Sequence, residues 1–394
     1  ILQFTISIIL FVATGIIYGQ MKYAEDMNLG YTKENLIVIN GDNGRKLLDN
    51  LDIIVERFKT INGVKNVTYT ANFFPGSQFD AMDPIRTDAS EDPIMITFRG
   101  VGHDFLETFD IPLLAGRGYD INRRDQRPTR DQLKSGERWT ASLILNKSAV
   151  RRLGLGTPEQ AIDELLYMNV GLVGEDGGQE TLETSFRVIG VVDDIHFRSL
   201  RDEVKPEFYQ LKPDSPYFVA LRYNSNPMNV VDEARKIWKD QMPDVSFEYN
   251  FATDTLAQQY LEERNQMIMF AAFSMLAIFI ACLGLFGLAS FTAAKRTKEI
   301  GIRKVMGAEI FDVLKLLVWQ FSKPVLIANL IAWPIAYLMM SQWLESFVYR
   351  IDDIAIIAVC LIAGLCTMLI AWATVAGNSY AVARQNPIKA LRYE

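Results

Sequence analysis

Histidine and cysteine are scarce: the chain has only His103 and His196, and only Cys282, Cys360 and Cys366, in 394 residues. All three cysteines lie inside apolar runs, which excludes a disulfide framework or a cysteine-based zinc site in the polar middle of the chain. That middle segment must be held by an ordinary apolar core, and it is long enough to bury one. No G-x-x-x-x-G-K-[ST] phosphate loop occurs, so the chain cannot hydrolyse ATP by that route. No G-x-S-x-G nucleophile elbow occurs. The formal net charge is -7 and no dense Lys/Arg block is present, a poor basis for nucleic-acid binding.

What is present is unevenly spread. Charges crowd the middle, and four long runs lack Asp, Glu, Lys, Arg and His altogether: Ile1 to Met21, Met267 to Ala294, Pro324 to Leu344 and Ile354 to Ala383. A helix of roughly 20 mostly apolar residues crosses a ~30 Å hydrocarbon core, so each run is long enough to span. Their lack of ionisable groups argues against an ion or proton path through the bilayer. The chain opens at Ile1, already inside an apolar run with no basic stretch before it. The expectation is the tail of a longer polypeptide or a trimmed chain, rather than a cleaved signal peptide.

The loops orient the spans. Lys295, Arg296, Lys298, Arg303 and Lys304 lie between the second and third, and Arg384, Lys389 and Arg392 follow the fourth. Basic loops face the cytoplasm, so the long segment between the first two spans is expected outside it.

Within that segment, Asn35 to Asn40, Val64 to Thr70, Tyr217 to Tyr223 and Val245 to Phe251 read as strands. Between the first pair, Leu47, Leu48, Leu51, Ile54, Val55 and Phe58 make one helical face; between the second, Val231, Ala234, Ile237 and Trp238 do the same. Two β-α-β units that flank an insertion predict a split, ferredoxin-like subdomain. The insertion has short strands, a Gly-rich turn at 174–178 and a polar loop at 120–138 that reads as solvated surface. Ser185 to Val192 reads as a buried strand leading into Asp193, Asp194 and His196, the one cluster that invites a metal or acid–base reading. No third ligand or orienting group is evident from the sequence, and a polar turn after a strand is the plainer reading.

Thr253 or Asp254 can cap a helix starting near Thr255. Thr255 to Phe273 holds no Gly, Ser or Pro, so one helix of about 55 Å is expected to run to Phe291 and project beyond the bilayer as a stalk. The following loop carries Lys298, Glu299, Ile300, Gly301, Ile302, Arg303, Lys304, Val305, Met306, Gly307 and Ala308. Glu299 and Arg303 can pair at i,i+4, and Ile302, Val305 and Met306 gather on one side of a short helix. Such a helix either lies on lipid headgroups or docks into a groove on a cytoplasmic partner.

The run from Lys298 to Ala308 (KEIGIRKVMGA) and the ending Asn386 to Arg392 (NPIKALR) resemble the MacB/FtsX-type permeases of ABC transporters. Leu113 to Arg117, Leu145 to Ala149 and Val188 to Phe197 resemble the same family in the polar domain. The opening Gln3 to Ser7 and Asn28 to Gly30 look like the second half of the doubled, eight-span permeases common in Bacteroidetes-type bacteria. The resemblance implies that Lys298 to Ala308 is the coupling helix seated on a separate ATPase subunit, which binds the ATP; no cofactor is expected on this chain. It implies a porter-type part at 35–73 and 184–252 and a Sabre-type insertion at 74–183. It also implies mechanotransmission: ATP-driven closure in the cytoplasm moves the stalks and reshapes the periplasmic domains.

The expected fold is thus an α+β membrane protein with four transmembrane helices and a large extracytoplasmic α+β domain between helices 1 and 2. Its expected segments are span 1 (1–21), periplasmic domain (22–266), stalk with span 2 (253–294), coupling loop (295–312), span 3 (313–344), short hairpin (345–353), span 4 (354–376) and cytoplasmic tail (377–394). The expected role is a non-enzymatic permease subunit, or half of one, in the bacterial inner membrane. Its expected partners are an ATPase, a second permease half or homodimer partner, the lipid bilayer and a periplasmic adaptor, with no nucleic acid. The competing roles are a membrane-anchored periplasmic sensor or binding protein, and a periplasmic enzyme built on Asp193, Asp194 and His196.

Overall fold

The computed structural model describes residues 1–41, 44–71, 80–88, 92–123, 125, 140–173, 179–212, 216–295, 299, 306 and 310–383. The chain divides into two compact units, Asn28–Gln259 and a helical unit made of Ile1–Met27 with Tyr260–Glu394.

The first unit holds the expected split motif. Strands β1 (Leu36–Asn40), β2 (Val64–Thr70), β10 (Phe218–Tyr223) and β11 (Glu248–Phe251) stand in the order β11-β1-β10-β2, all neighbours antiparallel. Helix α2 (Gly44–Lys59) crosses from β1 to β2 and α5 (Pro227–Gln241) from β10 to β11. Leu47, Leu51, Ile54 and Phe58 recur at helical spacing and are buried against Ile37, Ile39, Val67 and Leu221 of the sheet. Val231, Ala234 and Trp238 of α5 complete the core, with Ile237 partly buried beside it. Asn226 caps α5 by accepting the Met228 N–H, and Pro227 occupies its first turn, where a missing N–H costs nothing. Two details differ from expectation. Leu48 faces solvent. The last strand begins only at Glu248, because Val245 turns back to bond Met242 O at 3.1 Å and enters the core from a loop.

A second core lies in the inserted part. There β4 (Ile94–Val101), β9 (Glu207–Leu211), β6 (Thr140–Asn146), β8 (Gln179–Val192) and β5 (Leu113–Gly116) follow in order, with β3 (Ala81–Ile85) beside β4 and β7 (Leu165–Val173) beside β8. The short helices α3 (Phe105–Phe109) and α4 (Lys147–Arg152) complete this unit's elements together with α6 (Ala252–Gln258). The expected return from the insertion at residue 184 is corrected: β8 runs through that position, pairs in parallel with β6, and buries Phe186, Val188 and Val191 with Phe208 of β9 in the second core. The chain rejoins the first sheet only at β10. Among the described residues β2 and β4 pair at Thr70 and Val101, which makes the two parts one continuous sheet.

The helical unit contains α1 (Leu2–Asp26), α7 (Leu261–Lys295), α8 (Ile310–Leu344) and α9 (Asp353–Ala383), and each contains a stretch long and apolar enough to cross a membrane. Ile8, Val12 and Ile16 of α1 pack on Ala328, Ala332 and Ala336 of α8 and on Ile356, Cys360 and Ala363 of α9. Small residues on successive turns let helix backbones approach closely where burial from water offers no drive. Gln20, 1 % exposed, donates from Nε2 to Tyr349 O at 2.9 Å and accepts from the Ile351 N–H at 3.0 Å, so one amide satisfies both sides of the α8–α9 hairpin. The uninterrupted stalk helix is corrected as well. The helix stops at Gln258 and resumes at Leu261. The Gln259 N–H shortens to Leu256 O at 3.1 Å, an i→i−3 bond that tightens the last turn and ends the α-ladder without Gly or Pro.

Candidate functional site

The expected coupling segment, Lys298 to Ala308, follows the end of α7 at Lys295. Of its eleven residues, Glu299 and Met306 are described and both are exposed, Met306 at 83 %. Lys298, Ile300, Gly301, Ile302, Arg303, Lys304, Val305, Gly307 and Ala308 lie outside the described residues, as does the ending Asn386 to Arg392.

Asp193, Asp194 and His196 are close in sequence but serve separate bonds. Asp194 accepts the Ser148 N–H at 2.9 Å and the Ser148 hydroxyl at 2.7 Å, tying the segment after β8 to the start of α4. Asp193 accepts the Asp194 N–H at 2.9 Å. The His196 N–H donates to Leu29 O at 2.8 Å, and Gly30, at φ +79°, runs so close to Asp194 O that a Cβ there would sit 2.9 Å from it. No group of three or more His, Cys, Asp or Glu side chains able to hold a metal occurs among the described residues. The arrangement closes the loop at 28–31 over the end of β8, and its carboxylates act as acceptors for backbone and hydroxyl groups.

The densest buried charge was not anticipated from sequence. Arg99 on β4, 3 % exposed, donates to Glu207 Oε1 on β9 from Nε at 3.1 Å and from Nη2 at 2.6 Å. The Tyr209 hydroxyl donates to Glu207 Oε2 at 2.9 Å. Asp80 then accepts from Arg99 at 3.1 Å, and its carboxylate meets Arg198 at 2.6 Å and Lys205 at 2.7 Å. Burial works against the Asp80 carboxylate, but the Lys205 hydrogen bond and the Arg99 and Arg198 charges outweigh it and hold its carboxyl below the ordinary 3.8. A second carboxylate, Asp125, is 3 % exposed and is gripped by both Arg117 terminal nitrogens at 2.7 Å and by the Ser142 hydroxyl at 2.7 Å. Burial opposes its charge too, and the Arg117 and Ser142 bonds again prevail to lower it. The signal available in sequence was Arg99 inside the apolar strand ITFRGV, whose partner lies 108 residues downstream.

These shifts fix an acid profile. His103 and His196 are held below the ordinary 6.5 mainly by burial, against nearby carboxylates that raise them. The unfolded chain therefore takes up those protons first, and stability declines as pH falls below about 6.5. Asp80 and Asp125 contribute stability that is full above the unfolded carboxyl value and is lost as pH falls below about 4. The difference in melting temperature between wild type and Asp80→Asn is thus expected to be constant from pH 7 to 5 and to shrink below pH ~4. A difference that stays constant to pH 3 would contradict the assignment.

Residues 271–380 match a family model described as FtsX-like permease C-terminal. Among solved structures the chain is similar to the periplasmic region of MacB from Actinobacillus actinomycetemcomitans, at TM-score 0.37 and 13% identity over 61% of this chain and 98% of that one. It is also similar to the extracellular domain of the noncanonic ABC-type transporter YknZ from Gram-positive bacteria, at TM-score 0.33 and 18% identity over 55% of this chain and 98% of that one. No curated protein matches it. The matched stretch contains α8, most of α7 and α9, and the loop at 298–308. The match thus falls on the C-terminal helices and the loop between them, and its family is of the kind that residues 298–308 and 386–392 resemble.

Proposed function

We propose that this chain is a permease subunit, or half of one, of an ABC transporter, and that it passes the ATP-driven motion of a separate cytoplasmic ATPase to its large α+β domain on the other side of the inner membrane. The observation that carries the reading is the FtsX-like permease match over residues 271–380, a stretch that encloses the basic loop between the second and third apolar helices. Lys295, Arg296, Lys298, Arg303 and Lys304 favour the cytoplasm for that loop, which sets Asn28–Gln259 outside. Three apolar positions, Ile302, Val305 and Met306, give the loop a face that fits a groove on a partner. ATP and its chemistry belong to that partner; this chain contributes a lever rather than a catalyst. Motion reaches the outer domain through α7 and the two-residue turn at 259–260, so the connection is a jointed one. A second permease copy or half completes the assembly, and a periplasmic adaptor is a further partner on this reading.

Co-purification tests it. The full-length protein, co-expressed with each cytoplasmic ABC ATPase subunit of its source organism and solubilised in mild detergent, is expected to retain one of those ATPases on an affinity column. Failure to retain any would favour a membrane-anchored binding protein or sensor.

A further inference from the structure

The split half of the sheet and the insertion meet along β2 and β4. There Thr70 pairs with Val101, the Ala71 N–H donates to Gly100 O at 2.8 Å and the Gly102 N–H to Tyr69 O at 2.9 Å, while α3 packs on β2 and β10. A short seam of this kind resists separation better than rotation, so a second attachment across it fixes the angle between the two parts. The segment Asn28 to Asn35, which joins α1 to β1, makes that attachment.

This segment is bonded to three elements. Beyond β8, the His196 N–H donates to Leu29 O at 2.8 Å, and the Tyr31 ring lies 5.1 Å from that of Phe197. At the end of α3, the Thr32 N–H donates to Phe109 O at 3.0 Å and the Thr32 hydroxyl to Asp110 Oδ2 at 2.7 Å. From the split half, Arg222 on β10 donates to Thr32 O at 2.6 Å and to Glu34 O at 2.9 Å, and the Tyr223 N–H donates to Asn35 O at 3.0 Å. Arg222 also donates from Nε to Thr108 O, so one guanidinium holds carbonyls of the segment and of α3 together. Charged donors make the stronger hydrogen bonds, and the planar fork fixes their directions in a way that a lysine ammonium does not. Gly30 and Asn35 take the left-handed conformation, at φ +79° and +56°, which bends the segment onto these partners.

We infer that Asn28 to Asn35 is a strap that sets the angle between the insertion and the split half, with Arg222 as its pin. The strap is also the part of the domain joined directly to α1, whereas the connection to α7 runs through the turn at 259–260. The inference is independent of the ATPase reading, since every residue it uses lies within Asn28–Gln259.

Double electron–electron resonance on the full-length protein in phosphatidylcholine nanodiscs reads the angle. Spin labels are placed through Ile53→Cys on α2 and Arg152→Cys on α4, both exposed, with Cys282, Cys360 and Cys366 replaced by Ala. A single narrow distance is expected for this parent. Arg222→Ala is expected to widen the distribution at least about twofold, and Arg222→Lys to widen it as well, because one ammonium cannot hold the three carbonyls. Gly30→Ala is a second, separate lesion: its Cβ would meet Asp194 O at 2.9 Å and push the strap off the segment after β8, with the same widening expected. Lys236→Ala removes an exposed charge from α5 and is expected to leave the distance unchanged. Melting temperature identifies the variants that fold. A broad distribution in the parent, or a parent-like width in whichever of Arg222→Ala and Gly30→Ala folds, would overturn the inference, as would equal widening by Lys236→Ala.

Discussion

Replacing Arg99 by Ala is expected to destabilise the α+β domain by about 3–5 kcal/mol, because it strands a buried charge. Glu207 is 4 % exposed and would keep only the Tyr209 hydroxyl among the two groups that now hold its carboxylate. Asp80 would keep Arg198 and Lys205 and is the less affected partner. For a domain of this size the loss corresponds to a fall in melting temperature on the order of 10 °C. With the other five tryptophans replaced by Phe, the full-length protein can be followed by the fluorescence of Trp238, which is fully buried in the neighbouring core, with a second probe in the inserted sheet to separate local from global loss. The mechanism makes a sharper claim than the single variant does. Removing the whole group together, as Arg99→Met with Glu207→Leu and Tyr209→Phe, leaves no orphaned charge, so most of the stability is expected to return. If the triple variant is no better than Arg99→Ala, the loss comes from packing and not from the stranded carboxylate.

The second large effect concerns the partner. Ile302→Asp places a charge on the apolar side of the segment proposed to dock on the ATPase, and capture of the ATPase is expected to fall at least about tenfold. Met306→Asp is expected to act in the same direction, its side chain being 83 % exposed and so free to be covered. Met306 is exposed, so expression and melting temperature are expected to hold in its variant. Lys298→Ala, by contrast, removes a charge outside the proposed apolar face and is expected to change capture by less than about threefold. If Ile302→Asp leaves capture intact, the lipid-facing alternative for this segment gains.

How far these features were legible in the sequence depended on the range of the signal. The ferredoxin-like half was readable because its evidence is local: Leu47, Leu51, Ile54 and Phe58 repeat on one helical face, and Leu36 to Ile39 is an unbroken apolar run between polar residues. The four apolar helices were readable for the same reason. The end of the insertion was not, because Phe186, Val188 and Val191 read as a buried strand whichever sheet receives them, and only the pairing with β6 settles it. The break at 259–260 left no mark, since Thr255 to Phe273 contains none of the residues that usually interrupt a helix. Arg99 and Glu207 sit in separate strands joined by tertiary structure alone. The acidic cluster at 193–196 misled in the opposite way: its spacing suggests chemistry, yet Asp194 is occupied by Ser148.

The central claim is that Met306 and its neighbours face the cytosol while the α+β domain faces the other side. In a background with Cys282, Cys360 and Cys366 replaced by Ala, single cysteines at position 306 and at the exposed position 53 of α2 can be labelled in intact cells with a membrane-impermeant maleimide. The account predicts that the cysteine at 53 is labelled from outside and that the cysteine at 306 is labelled only after the inner membrane is opened. Labelling of position 306 in intact cells would contradict the topology and, with it, the proposed coupling to a cytoplasmic ATPase.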